Sequence, residues 1–160
     1  MPRKVNLDEF KKKPKFISVE GPIGVGKTTL TKLLAKKYKF EGHYEDVLKN
    51  PYLDDFYDQM ERWSFNLQIY FLNSRFRQIL DFNKNGKDII QDRTIYEDAF
   101  IFAPNLKAMG LMTNRDFENY KSIFNLMESF VKGPDLLIYL YHKFESRPHI
   151  FHLIYLSNLC

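Results

Sequence analysis

Gly21, Pro22, Ile23, Gly24, Val25, Gly26, Lys27 and Thr28 follow the pattern G-x-x-x-x-G-K-[ST], and Thr29 comes directly after. Glycines let successive backbone N–H groups turn inward around phosphate oxygens. A helix that starts at the end of such a loop adds about half a positive charge. In this pattern Lys27 reaches the β- and γ-phosphates, and Thr28 holds Mg²⁺ through its hydroxyl. The chemistry indicated is binding of a nucleoside triphosphate such as ATP. A chance glycine turn is disfavoured by context, because an apolar run precedes the loop and a helical pattern follows it.

Other residues could complete that chemistry. Asp92-Arg93 ends an apolar run, and an acid there can hold Mg²⁺ while an arginine neutralises a transferring phosphoryl group. The alternative is a surface Asp–Arg pair. Glu45 is placed to take the proton from an attacking hydroxyl, or else is a solvated loop acid beside Asp46. Tyr57, Glu61, Ser64, Gln68 and Arg75 form a polar line through an otherwise apolar helical stretch. Gln68 and Arg75 are about 10 Å apart along a helix. The Gln68 amide can pair with the edge of a base, and Arg75 with a buried acid, for which Asp98 is the candidate. A solvated helix face is the competing explanation. Guanine recognition through N-K-x-D fails, because Asn83-Lys84-Asn85-Gly86 lacks the aspartate.

These groups need elements to position them. FISVE at 16–20 predicts a buried strand entering the glycine turn. Residues 27–39 predict a helix with Leu30, Leu33, Leu34 and Tyr38 on one stripe. A short strand is expected at 43–45 and a turn at Asn50-Pro51. Residues 54–80 predict one or two long helices with an apolar stripe of Phe65, Ile69, Leu72, Phe76 and Leu80. A turn is expected at 83–86 and a third strand from 88 to near 92. Thr94 with Glu97 suggests a capping box opening a helix over 94–103. A further helix spans 114–131, Gly133-Pro134 breaks it, and DLLIYL at 135–140 is a fourth strand. Alternating strands and helices predict a three-layer α/β fold with a parallel sheet flanked by helices, of the P-loop NTPase type.

Composition sets outer bounds. The 160 residues suit one domain with a sizeable core, 44% hydrophobic and 28% charged. Net charge is +4, but Lys4, Lys11, Lys12, Lys13 and Lys15 supply much of it. A basic N-terminal arm over 1–14 is therefore favoured over a nucleic-acid surface. The lone cysteine, Cys160, excludes an internal disulfide. No apolar run reaches the roughly 18 residues needed to span a membrane. A soluble cytoplasmic protein, with no nucleic-acid or membrane partner, is the expectation.

GPIGVGKTT, ERWSFNLQIYFLNSR and QDRTIYEDAFIFAPN together resemble the bacterial deoxynucleoside kinase family, of the deoxyadenosine, deoxyguanosine and deoxycytidine kinase type. The match runs from about Lys15 to Leu140, giving a kinase domain over 15–140 and a divergent tail over 141–160. The resemblance implies that Lys27 and Thr28 bind phosphate and Mg²⁺. It makes Glu45 the general base on the 5′-hydroxyl of a deoxynucleoside. It implies that Tyr57 contacts the sugar 3′-hydroxyl, Gln68 the base, Arg75 and Asp98 the polar end of the base pocket, and that Phe102 stacks on the base. Asp92 and Arg93 act on Mg²⁺ and phosphate. A homodimer through helices 61–80 and 114–131 is implied as well.

Two departures stand out. Asp46 follows Glu45 where many relatives have proline. After Leu140 the family's helix, arginine-rich lid, fifth strand and base loop are expected, yet YHKFESRPHIFHLIYLSNLC follows, with Arg147 the only arginine. A parallel fifth strand needs a crossover of about a dozen residues, more than separates Leu140 from the apolar run 150–156. The last strand and lid are thus expected to be missing. The function implied is ATP-dependent transfer of the γ-phosphoryl group to the 5′-hydroxyl of a purine deoxynucleoside or deoxycytidine. The competing readings are a nucleoside-binding remnant without turnover and a nucleoside-monophosphate kinase.

Overall fold

The computed structural model describes residues 7–9, 12–45, 49–142 and 151–157. Lys4, Lys11, Asp46, Arg147 and Cys160, singled out above, lie outside the described residues. The chain forms two units: Met1–Tyr44, Asn85–Arg93 and Gly133–Cys160 make the first, Glu45–Lys84 and Thr94–Lys132 the second.

The first unit is built on strand β1, Phe16–Glu20, every residue of which is buried. A strand covered on both faces reads as an unbroken apolar run, and FISVE departs from that only at Ser18 and its last residue. β2 (Glu41–His43), β3 (Ile89–Asp92), β4 (Leu136–His142) and β5 (Phe151–Ser157) complete a five-stranded sheet in the order β2-β3-β1-β4-β5. β2, β3, β1 and β4 run parallel. Register sets Ile17 beside Ile90 and Leu136, and Val19 beside Asp92 and Ile138. Ile17, Val19, Ile90, Leu136 and Ile138 form one cluster with Val25, Leu34, Phe40 and Leu140. Each such side chain contributes about 1.5–3 kcal/mol on burial.

Helix α1, Lys27–Tyr38, lays Thr31, Leu34 and Ala35 on the sheet, while Leu33, expected on that stripe, is exposed. The N-terminal segment adds Leu7 to the core, its N–H donating to the Tyr38 hydroxyl at 3.0 Å. The Asp135 carboxylate accepts from the N–H groups of Lys15 and Phe16 at 2.9 and 3.0 Å, tying the start of β1 to the entry of β4.

β5 differs from the sequence expectation. The apolar run of the tail is a strand, antiparallel to β4, pairing Leu136 with Ser157 through His142 with Phe151. Only a parallel neighbour needs a crossover of about a dozen residues. An antiparallel neighbour needs no crossover, so a short connection is enough.

The second unit is helical. α2 spans Leu53–Asp58 and α3 spans Met60–Asn85. α3 therefore takes in most of the turn expected at 83–86 and leaves only Gly86, at φ 64°, outside the helix. α4 is one turn, Ile95–Glu97, continued by a π-helical stretch, Asp98–Phe102, and by α5, Ala103–Ala108. The Thr94 side chain accepts from the N–H of Tyr96, not from the third residue as a capping box would have it. α6 spans Asn114–Glu128, with the Thr113 hydroxyl accepting from the N–H of Asp116 at 3.1 Å. It buries Tyr120 and Phe124, one turn apart.

The buried face of α3 is not the expected apolar stripe. Ser64, Leu67, Gln68, Leu72, Arg75 and Ile79 are buried, whereas Phe65, Ile69, Phe76 and Leu80 are only half-buried. Half of the inward face is polar, so α3 is placed by something besides hydrophobic burial. Such violations of the binary pattern concentrate where function demands them.

Candidate functional site

In the first unit the site begins where β1 ends. Gly21 has φ 139°, and a Cβ there would lie 2.3 Å from the Leu140 carbonyl oxygen on the neighbouring strand. Only glycine lets the chain leave the sheet this close to β4. Pro22, Ile23 and Gly24 are exposed at the loop tip, and the buried Val25 anchors the loop in the core. Gly26, at φ 94°, precedes the first turn of α1. The loop therefore stands at a helix N-terminus whose free N–H groups favour an anion.

Lys27 is buried, and its Nζ donates to the carbonyls of Gly21 and Pro22 at 2.7 and 2.6 Å. The ammonium is thereby held across the mouth of the loop. Thr28 and Thr29 are exposed. The Thr28 hydroxyl donates to the Asp92 carboxylate at the end of β3. That pairing follows from register, since Val19, opposite Asp92, lies just before the loop. Arg93 is buried at φ 67°, a left-handed conformation rare for a residue with a side chain, and its N–H donates to Val19 at 3.0 Å. Strain of this kind costs about 1–3 kcal/mol and clusters at functional positions.

Mg²⁺ fits this donor set. Thr28 and Asp92 offer a hydroxyl and a carboxylate oxygen in mutual contact. No cluster of three or more His, Cys, Asp or Glu able to hold a metal occurs among the described residues. A hard cation bound by one or two protein oxygens plus phosphate is the usual Mg²⁺ arrangement.

In the second unit the polar groups converge on Arg75. Its Nη1 donates to the Asp98 carboxylate, and its Nη2 lies 3.6 Å from Glu45 Oε1. Its guanidinium carbon sits 4.6 Å from the Phe71 ring centroid. Arg75 and Asp98 are both buried, so the solvated-face alternative fails for this part of the line. Gln68 is 4% exposed, and its Oε1 is buried with no hydrogen-bond partner among the described residues. An orphaned buried carbonyl costs about 1–3 kcal/mol unless a ligand supplies a donor.

Of the rest of the line, Ser64 is buried with its hydroxyl donating to the Met60 carbonyl at 2.6 Å, and the other two residues are open to solvent. Glu61 is exposed, and Tyr57 on α2 is 65% exposed, with its ring edge-on to Phe56 at 5.4 Å. Phe102 is half-buried and closes the π-helical stretch that Asp98 opens.

Three residues here escaped the sequence reading. Pro104 has no N–H, and its ring would collide with the Phe100 carbonyl in a regular helix. The chain instead closes a wider turn from the Ala103 N–H to the Asp98 carbonyl. Glu20 is a buried acid directly before Gly21, and its signal was an acid ending an apolar run. Tyr120 is fully buried on α6. Nothing in its spacing separates it from a core aromatic.

The deoxynucleoside kinase family model matches residues 17–151. A deoxyadenosine/deoxycytidine kinase of Bacillus subtilis (strain 168) is 46% identical over 136 residues, covering 84% of this chain and 63% of the relative. A deoxyadenosine kinase of Dictyostelium discoideum is 43% identical over 124 residues, covering 78% of this chain and 50% of the relative. The structure of deoxyadenosine kinase from M. mycoides with bound dATP superposes with a TM-score of 0.67 at 32% identity, over 78% of this chain and 63% of that one. The chain thus spans between half and two thirds of the length of these relatives. It belongs to the deoxynucleoside kinase family.

Proposed function

We propose that this chain, as a member of that family, transfers the γ-phosphoryl group of ATP to the 5′-hydroxyl of a purine deoxynucleoside or deoxycytidine. The observation that carries the substrate class is the buried Arg75, paired with Asp98 and next to Glu45. Every small-molecule kinase with this loop binds triphosphate, so the loop does not choose the acceptor. A nucleoside-monophosphate kinase needs surplus positive charge for the acceptor's phosphate. Here the buried cation of α3 is matched by carboxylates, and Gln68, two turns earlier on the same helix, offers a buried neutral carbonyl with no partner among the described residues. That set suits an uncharged base. An amide and an Arg–Asp pair can exchange donors and acceptors with a base bearing an amino group, and a site built for such bonds rejects bases lacking them.

The roles follow from the chemistry. Glu45 takes the proton of the 5′-hydroxyl, whose oxygen bonds to the γ-phosphorus as the bond to the bridging oxygen breaks and ADP leaves. Lys27 and the N–H groups of the 21–29 loop hold the β- and γ-phosphates, and Arg93 neutralises charge on the transferring group. Thr28 and Asp92 would hold Mg²⁺, which when bound screens charge shared by the β- and γ-oxygens. Tyr57 takes the sugar 3′-hydroxyl, and Phe102 stacks on the base.

The same reading includes a cytoplasmic salvage enzyme acting as a homodimer through 61–80 and 114–131. Support for the dimer comes from Phe65, Ile69, Phe76 and Leu80, half-buried along α3, and from exposed Leu126 and Phe130 in and after α6. No helix among the described residues is long and apolar enough to cross a membrane.

Incubating the chain with Mg²⁺-ATP and each of the four deoxynucleosides, with Lys27→Ala beside it, tests the activity. Monophosphate formation that depends on Lys27 is expected. Binding without turnover would favour the remnant reading, and phosphorylation of monophosphates but not nucleosides would overturn both.

A further inference from the structure

We propose that Tyr120 is a positioning residue for base recognition: once a base is bound, its hydroxyl donates to the Asp98 carboxylate, directly or through one water, and fixes the orientation in which that carboxylate meets the base. The inference rests on the deoxynucleoside reading above and adds a residue on α6 to it.

The starting observation is an imbalance. Tyr120 is 1% exposed, and its hydroxyl has no hydrogen-bond partner among the described residues. One turn on, Phe124 fills the same face of α6 and packs edge-on against Tyr96 and Phe100 at 6.0 and 5.5 Å. Phenylalanine at 120 would fill the same ring volume without burying an unsatisfied donor. What tyrosine adds is the oxygen alone.

The surroundings say what that oxygen can do. Burial raises the proton affinity of the hydroxyl, the Asp98 carboxylate raises it further, and the Arg75 guanidinium lowers it. The group therefore stays protonated at neutral pH and serves as a donor near a buried anion. Arg75 already occupies Asp98 Oδ2. A base amino group arriving at the carboxylate competes for the same lone pairs and tends to turn it. A second donor from another helix would resist that turn, and a hydrogen bond to a charged acceptor is the stronger kind. Recognition would then draw on α3, the π-helical stretch and α6 together.

The test uses the full chain and measures binding, so it does not depend on turnover. Calorimetric titration of wild type and Tyr120→Phe with each of the four deoxynucleosides, and with Mg²⁺-ATP, is followed by the same titrations in an Asp98→Asn background. We expect Tyr120→Phe to weaken the preferred deoxynucleoside about tenfold. ATP binding should be unchanged, the ranking of bases compressed, and the Tyr120 effect lost once Asp98 is neutralised. Unchanged affinity for all four deoxynucleosides, with equal or higher thermal stability, would show a merely buried hydroxyl and overturn the inference. An undiminished loss in the Asp98→Asn background would overturn the route through Asp98. A wild-type chain that binds ATP but no deoxynucleoside would remove the substrate reading itself, and the inference with it.

Discussion

In the first unit, the groups offered to a ligand are mostly main chain. The loop presents N–H groups at a helix N-terminus, and its side chains, Lys27 and Thr28, are already engaged by Gly21, Pro22 and Asp92. In the second unit they are side chains from separate segments: Gln68 and Arg75 on α3, Asp98 and Phe102 in the π-helical stretch, Glu45 from the segment before α2. Main-chain recognition suits a ligand that is the same in every kinase, a triphosphate. Side-chain recognition suits one that varies, a base. The first requires a backbone shape, hence glycine at fixed spacing. The second requires burial of charge, hence partners that must be present together.

The comparison predicts that the second unit is the more fragile to a charge deletion. Asp98→Ala removes the hydrogen-bonded partner of buried Arg75 and leaves Glu45 Oε1, 3.6 Å away, as the counter-charge. A destabilisation of about 3–5 kcal/mol is expected, read as a large drop in the unfolding midpoint. Lys27→Ala removes a buried ammonium that meets the Gly21 and Pro22 carbonyls, so a smaller loss of stability, about 1–2 kcal/mol, is expected. Turnover should fall by about 10²–10³-fold while deoxynucleoside affinity is kept. If Lys27→Ala unfolded the chain and Asp98→Ala did not, the contrast between the units would be wrong.

Backbone shape can be challenged directly. Gly21→Ala forces a Cβ to within 2.3 Å of the Leu140 carbonyl at φ 139°. Either the loop or β4 must shift, and about 1–3 kcal/mol of stability should be lost together with ATP affinity. Deoxynucleoside binding, measured by titration at a temperature where the variant is folded, should remain near wild type. Equal loss of both ligands would show that the units do not recognise independently.

The same contrast explains what was legible in the sequence. The loop and β1 could be read because a contiguous pattern encodes each, and the parallel sheet because strands alternate with helices along the chain, whereas the strand order carried no such signal. The spacing of Gln68 and Arg75 was visible, but whether their face was buried was not. Period alone favoured Phe65, Ile69, Phe76 and Leu80, and tertiary packing turned Ser64, Gln68 and Arg75 inward instead. β5 was missed because a parallel neighbour was the only one weighed. Tyr120 carried no signal, since a buried tyrosine at helical spacing looks like core until its hydroxyl is seen without a partner.

The smallest effect tests how finely the second unit is set. Pro104 prevents a regular helix at the Phe100 carbonyl, and the extra residue in the turn from Ala103 to Asp98 results. Pro104→Ala restores an N–H and lifts the collision, so the segment can relax towards an α-helix. Phe102 would then rotate relative to Ile95–Glu97 while Arg75 keeps its grip on Asp98. Deoxynucleoside affinity should fall about threefold to tenfold, ~1 kcal/mol, with ATP affinity unchanged and stability level or slightly raised. The pattern to look for is weaker nucleoside binding without loss of fold. If Pro104→Ala bound deoxynucleosides as tightly as wild type, the π-helical turn would be a by-product of proline chemistry, and side-chain placement in this unit would be looser than the loop's.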